Sequence, residues 1–274
     1  MAAVCLTPLE QVLQDRFRQM AGGPPEWAWP YPAPIPLAGR NYVPGRGLLV
    51  YASAENLAWM DRDKQHQKPR WESFGGDTVT VRYRHQFENP ELQGKGSFPD
   101  VGMAPVSNGG LLCAAYFVLD EIEASVPSSP RALLDLIAVA NWCKFVMLSN
   151  VDYVRDREKL RKSLPYVTNE LEVLRPHLVI MPKTILGDPD NDIYEAMRGA
   201  SPETTFVGVM QFNAMVVNCH LQRFDDAAAE LGSRYASTPL ATWMSKLRRV
   251  NRDHAWRFLA HVAEQLREAR RLPA

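Results

Sequence analysis

The chain has 274 residues, 46% of them apolar, and its 31 basic residues balance its 31 acidic ones. Disorder needs low hydrophobicity with high net charge, so these values exclude it and leave material for one sizeable core. The most apolar stretch, residues 132–148, is interrupted by Asp135, Asn141 and Lys144, well short of the ~20 apolar residues of a membrane span.

No basic start leads into an apolar run and a small-residue cleavage site, so a cytoplasmic protein is expected. Cys5, Cys113, Cys143 and Cys219 are widely spaced, which suits reduced thiols better than a disulfide frame or a zinc knuckle. The zero charge conceals an asymmetry. From Arg234 onward nine basic residues face three acids, a net +6, which leaves −6 on residues 1–233. Such a segment is either a solvated helical face or a surface that meets phosphate locally.

Taken in chain order, Thr7-Pro8-Leu9-Glu10 spells a capped helix start, with Thr as N-cap, Pro first inside and Glu reaching back. That helix should end near Ala21, before Gly22-Gly23. Six prolines between Pro24 and Pro36, interleaved with Trp27, Trp29 and Tyr31, predict an extended segment pinned by its aromatics, or alternatively a proline ligand for a partner. Residues 47–52 read as a buried strand and residues 78–83 as a second. A helix is predicted over 109–123, a doubly covered strand over 136–140, and a helix over 155–174 broken at Pro165. Strands follow at 178–181, 206–210 and 215–217, and two helices, 240–250 and 253–271, close the chain. Strands alternating with helices predict one α/β domain, a three-layer α/β/α arrangement with a mainly parallel sheet.

Ligands of such sheets bind beyond the carboxyl ends of the strands. The loops there carry Ser53-Ala54-Glu55-Asn56, Asn141-Trp142-Cys143-Lys144 and Asn218-Cys219-His220-Leu221, while Ser107-Asn108-Gly109-Gly110 opens a helix whose free N–H groups favour phosphate. Each has a plain structural reading as well: a loop cap for the Asn, a satisfied imidazole for the His, a turn for the glycines. No Walker A sequence, G-x-G-x-x-G fingerprint or G-x-S-x-G elbow is present.

In order and spacing, residues 45–225 resemble the uracil-DNA glycosylase superfamily. Leu48-Leu49-Val50-Tyr51-Ala52-Ser53-Ala54-Glu55-Asn56 is similar to the family's water-holding first motif. Ser107-Asn108-Gly109-Gly110-Leu111-Leu112 resembles its small-residue loop and helix, and Val139-Ala140-Asn141-Trp142-Cys143-Lys144 its strand ending in a base-reading Asn. Residues 169–180 look like its next helix and strand, and Val216-Val217-Asn218-Cys219-His220-Leu221 its His-bearing last motif. The chain departs from the pattern in three places. The first loop lacks the family's Pro and Gly, the last lacks the His-Pro-Ser run, and Met103 stands where many members have a stacking Phe, with Phe98 the nearest aromatic upstream. The cysteines do not match the iron–sulfur branches, so no cluster, metal or other cofactor is expected.

The resemblance implies a monofunctional glycosylase that hydrolyses the N-glycosidic bond of a base flipped out of double-stranded DNA, acting as a monomer away from membranes. Cleavage passes through a sugar cation while negative charge gathers on the leaving base. Glu55 is the expected anion and water-holder, and His220 the expected donor to the base. Asn141 would read the base edge, with Asn56, Ser53, Phe98 and Met103 around it. Ser107, Asn108, Gly109, Lys144, Arg223, Arg248 and Arg249 are the expected DNA contacts, with Leu221 as the wedge. Uracil-specific relatives carry an excluding Tyr near Asn56. The small and polar loop here suits a bulky 5-modified cytosine, such as the glucosylated hydroxymethylcytosine removed by anti-phage members. Alternatives are uracil or a deaminated base as substrate, a non-catalytic nucleic-acid-binding module on the same fold, or a hydrolase of free nucleotides or nucleosides.

Overall fold

The computed structural model describes residues 5–20, 25, 28, 33–52, 79–80, 109–123, 127–145, 157–187, 192–213, 215–247 and 252–271. Its elements are α1 (Pro8–Gln19), β1 (Ala33–Pro34), β2 (Leu37–Ala38), β3 (Leu48–Ala52), β4 (Val79–Thr80), α2 (Gly109–Glu123), α3 (Pro130–Leu136), β5 (Ala138–Asn141), α4 (Arg157–Leu174), β6 (Leu178–Pro182), α5 (Lys183–Leu186), α6 (Asp192–Ala200) and β7 (Thr205–Val209). One π-helical turn (Val216–His220) and one 3-10 turn (Gln222–Phe224) then lead into α7 (Asp225–Arg234), α8 (Pro239–Lys246) and α9 (Arg252–Arg271). Among the described residues, no helix is long and apolar enough to cross a membrane.

The central sheet has the order β2-β5-β3-β6-β7. β3, β5, β6 and β7 run parallel, and β2 closes one edge antiparallel to β5. Nearly every strand residue is buried, as a sheet covered on both faces requires. Period-two alternation sorts the side chains: Leu48, Val50, Val139, Leu178, Ile180, Val207 and Val209 join one core cluster, and Leu49, Tyr51, Ala138, Ala140, Val179, Met181 and Phe206 the other. Residues of α2, α8 and α9 fill the first cluster, and residues of α1, α4 and α6 the second. The chain is therefore a mixed α/β protein with helices on both faces of a mostly parallel five-stranded sheet. β1 and β4 pair separately as a short parallel ribbon.

The N-terminal cap forms as its residues predict: Glu10 N–H donates to Thr7 Oγ1 (3.3 Å) and Thr7 N–H to Glu10 Oε2 (2.9 Å). Three expectations need correction. α4 is not broken at Pro165 but passes through it. This proline is exposed, so its ring and its missing N–H fall on the solvent side of the helix rather than against the core. The strand expected at 215–217 is the start of the π-helical turn. Asn213 decides this locally, accepting from Val216 N–H through its side chain (2.9 Å) and from Val217 N–H through its carbonyl (3.0 Å), which starts a helical turn. The strand expected over 136–140 spans Ala138–Asn141, because Ser129 and Pro130 start a helix that runs through Leu136.

Candidate functional site at the carboxyl edge of the sheet

Counting only the parallel strands in chain order, β3 is first, β5 second, β6 third and β7 fourth, so their spatial order is 2-1-3-4. The link from β3 to β5 carries α2, whose residues pack on one face. The links from β5 to β6 and from β6 to β7 carry α4 and α6, which pack on the other. The helices that follow β3 and β6 therefore pack on opposite faces, and a doubly wound sheet opens its ligand crevice at such a reversal, beyond the carboxyl ends. The residues following β3 that carry Ser53, Glu55 and Asn56 lie outside the described residues, as do Phe98, Met103, Ser107, Asn108, Arg248 and Arg249.

Asn141 ends β5 directly beside the end of β3, in register with Ala52. It is half-buried, and the turn that follows it is held at several points. Trp142 N–H donates to the Ala52 carbonyl (2.8 Å), and its fully buried indole donates to Met197 Sδ (3.4 Å). Cys143 Sγ approaches the Phe145 carbonyl and receives the Ser163 hydroxyl, both at 3.6 Å.

Lys144 does not present itself to DNA. It is buried, donates from Nζ to the Asn141 carbonyl (2.6 Å) and forms an ion pair with Glu170 in which neither side chain has exposed surface. Its N–H donates to Ser163 Oγ (2.9 Å), and Glu170 Oε2 accepts from the Tyr51 hydroxyl (2.7 Å). Burial drives the Lys144 ammonium below its ordinary range and the Glu170 carboxyl above its own, each opposed by the partner's charge. Tyr51 is pushed well up, first by burial and then by Glu170. The sequence carried a signal for this network that motif reading passes over. Leu160, Val167, Leu171 and Leu174 form the buried stripe of α4, and Ser163 and Glu170 occupy two positions on the same stripe.

Gly109 and Gly110 begin α2. A Cβ on Gly110 would lie 2.5 Å from the Phe212 ring, so the start of this helix packs on the segment leaving β7 through a contact that only glycine permits. Along that segment Met210 N–H donates to His261 Nε2 (3.1 Å). His261 is 3% exposed and its pKa is lowered to about 4, first by burial and then by the charges of Lys183 and Arg223. Lys183, exposed at the end of β6, and Arg223, exposed beyond β7, thus put positive potential on one stretch of this edge. Lys183 went unremarked in the sequence because it belongs to no motif.

His220 is exposed at the end of the π-helical turn. Neighbouring Asn218 pairs through Oδ1 with His254 Nδ1 (3.2 Å). Leu221, expected as a wedge, is instead a core residue at 1% exposure, because the turn rotates it into the cluster under α9. Gln222 and Arg223 face outward beside it, and Arg223 pairs with Glu264 (2.6 Å). The local +6 is also partly consumed within the protein. Buried Arg257 pairs with Asp225, and Arg234 pairs with Glu121 (2.6 Å) and Asp120 (3.7 Å). Those acids precede residue 234, so a local tally cannot see them.

No protein-family model, curated protein or solved structure matches the chain significantly. A cleft of about 400 Å³ opens at the amino end of the strands, lined by Gly45, Glu172, Arg175, His177, Ser201 and Glu203 among others. Its two acids outnumber its single Arg, so its charges do not favour an anion. Arg175 there adopts φ 43°, a left-handed stop to α4 ahead of Pro176 that costs about 1–2 kcal/mol.

Proposed function

We propose that the protein is a monofunctional DNA glycosylase. The observation that carries this reading is the register of Ala52 with Asn141. The chain that continues into Ser53–Asn56 therefore leaves β3 beside Asn141, whose amide suits the reading of a base edge. The Gly110–Phe212 contact supports it, since it ties the small-residue start of α2 to the segment leaving β7. In this reading Glu55 sits beneath the sugar and holds water, whose oxygen adds to C1′ and whose proton passes to the Glu55 carboxylate as the N-glycosidic bond breaks and its electron pair leaves with the base. His220 donates to the departing base, and Lys183 and Arg223 meet the DNA backbone. The small, polar residues 52–56 leave room for a 5-substituent, so glucosylated hydroxymethylcytosine is the substrate favoured over uracil, with phage DNA as its source.

To test this, duplexes carrying uracil, hypoxanthine, hydroxymethylcytosine or glucosylated hydroxymethylcytosine are incubated with the protein and cleaved with hot alkali. The expected result is strand breakage at one modified base, lowered at least 100-fold by Glu55→Gln and at least 10-fold by Asn141→Ala. Breakage of none of the four, or breakage undiminished by Glu55→Gln, overturns the assignment. A second reading, a nucleic-acid-binding module without catalysis, is favoured by the burial of Lys144 and Leu221, which leaves fewer groups to hold a base out of the stack. It predicts duplex binding with no abasic product.

A further inference from the structure

We propose that the buried Lys144–Glu170 pair is a positioning clamp for Asn141, setting the direction in which the base-reading amide leaves β5. This rests on the glycosylase reading for its consequence, though not for its geometry.

Two charges without exposed surface are a costly way to fill a core. Removing each from water costs several kcal/mol, and apolar residues of similar volume often serve stability as well or better. The neighbours are already suited to that solution, since Val167, Leu171 and Leu174 surround the position on α4 and join the same apolar cluster as Tyr51 and Trp142. What an apolar pair cannot supply is a directed donor. Lys144 Nζ reaches back three residues to the Asn141 carbonyl and closes the turn on itself. Its own N–H is anchored to Ser163 on α4, while Glu170, seven residues further along that helix, accepts from Tyr51 on β3. The clamp therefore joins the ends of β3 and β5 and the helix between β5 and β6 through one carboxylate. With Trp142 N–H on Ala52, both polar groups of the Asn141–Trp142 peptide are held, which fixes the main chain from which the amide projects. A group that reads a base edge must be held to within about 0.5 Å, and locked neighbours are what provide that. Lys144 and Glu170 touch no reacting atom in this scheme, so both act as positioning residues.

The test is to make the network apolar by the triple change Tyr51→Phe, Lys144→Met, Glu170→Met, and separately to make the milder change Ser163→Ala. Amide hydrogen exchange of the peptide spanning residues 138–145 is compared with that of α7 and α9. Excision kinetics on the duplex cleaved by the unmutated protein are measured alongside. The clamp predicts that the triple variant unfolds at the same or higher denaturant concentration, yet exchanges at least 10-fold faster over 141–145 with α7 and α9 unchanged. It also predicts kcat down at least 10-fold with KM for DNA within 2-fold, and smaller changes of the same kind for Ser163→Ala. Unmutated exchange over 141–145 in a folded triple variant overturns the clamp. If the triple variant does not fold, unchanged exchange and kcat in Ser163→Ala overturn it. The exchange measurement needs no substrate. If the unmutated protein releases no base from any duplex, the glycosylase reading fails while exchange still decides the clamp.

Discussion

Lys144 Nζ bonds the main chain of Asn141 and pairs with Glu170, which in turn accepts from Tyr51, so the ends of two adjacent parallel strands share one buried ion pair. Removing one charge is a different perturbation from removing both. Lys144→Met alone leaves an uncompensated carboxylate in the core and is expected to cost about 3–5 kcal/mol in urea unfolding. Adding Glu170→Met should recover most of that loss. A single change as mild as the pair would show that the two charges do not interact in the folded protein.

His261 predicts an acid dependence of stability. The unfolded chain takes up its imidazole proton near pH 6.5 and the folded chain only near 4, so the unfolded state binds more protons between those values. Stability should therefore fall as pH drops from about 6.5 to about 4, by up to about 3 kcal/mol from this group. Denaturant midpoints across that window check it. His261→Gln, which keeps an acceptor for Met210 N–H, should flatten this component.

Gly110→Ala places a methyl against the Phe212 ring, which is itself packed edge-on to Phe258 with ring centroids 5.0 Å apart. Overpacking of this kind costs about 1–3 kcal/mol. The expected outcome is a lower melting temperature, partly restored by Phe212→Leu, which makes room. Additive losses in the double variant would mean that the two positions are not in contact.

Arg223 and Glu264 form an exposed pair, with 67% of the Arg side chain open to water, so neither residue is expected to change stability by more than about 1 kcal/mol. Under the proposed DNA-binding reading, their effects on affinity are opposite in sign. Glu264→Gln frees the guanidinium and should tighten binding to an unmodified duplex, whereas Arg223→Ala should weaken it and lower the salt slope by about one. Fluorescence anisotropy between 50 and 200 mM salt, on the order of the range that resolves such slopes, distinguishes these outcomes.

The sequence was most legible where a property is local. The Thr7 cap, the 109–123 helix and the apolar strands at 48–52, 178–182 and 205–209 appear where their residues imply, because capping, helical periodicity and double burial leave a mark within a few positions. The 2-1-3-4 strand order, the burial of Lys144 and Leu221, and the pairing of Arg234 and Arg257 with acids from earlier in the chain were settled only by tertiary structure. Each depends on which distant segment lies alongside, and a side chain's charge or bulk does not record its neighbours. The balance of 31 against 31 shows the same division. It determined by itself that the chain carries no net charge, while the fold decided which of those charges pair inside, as at Lys144 and Glu170, and which, as at Lys183, are left facing solvent.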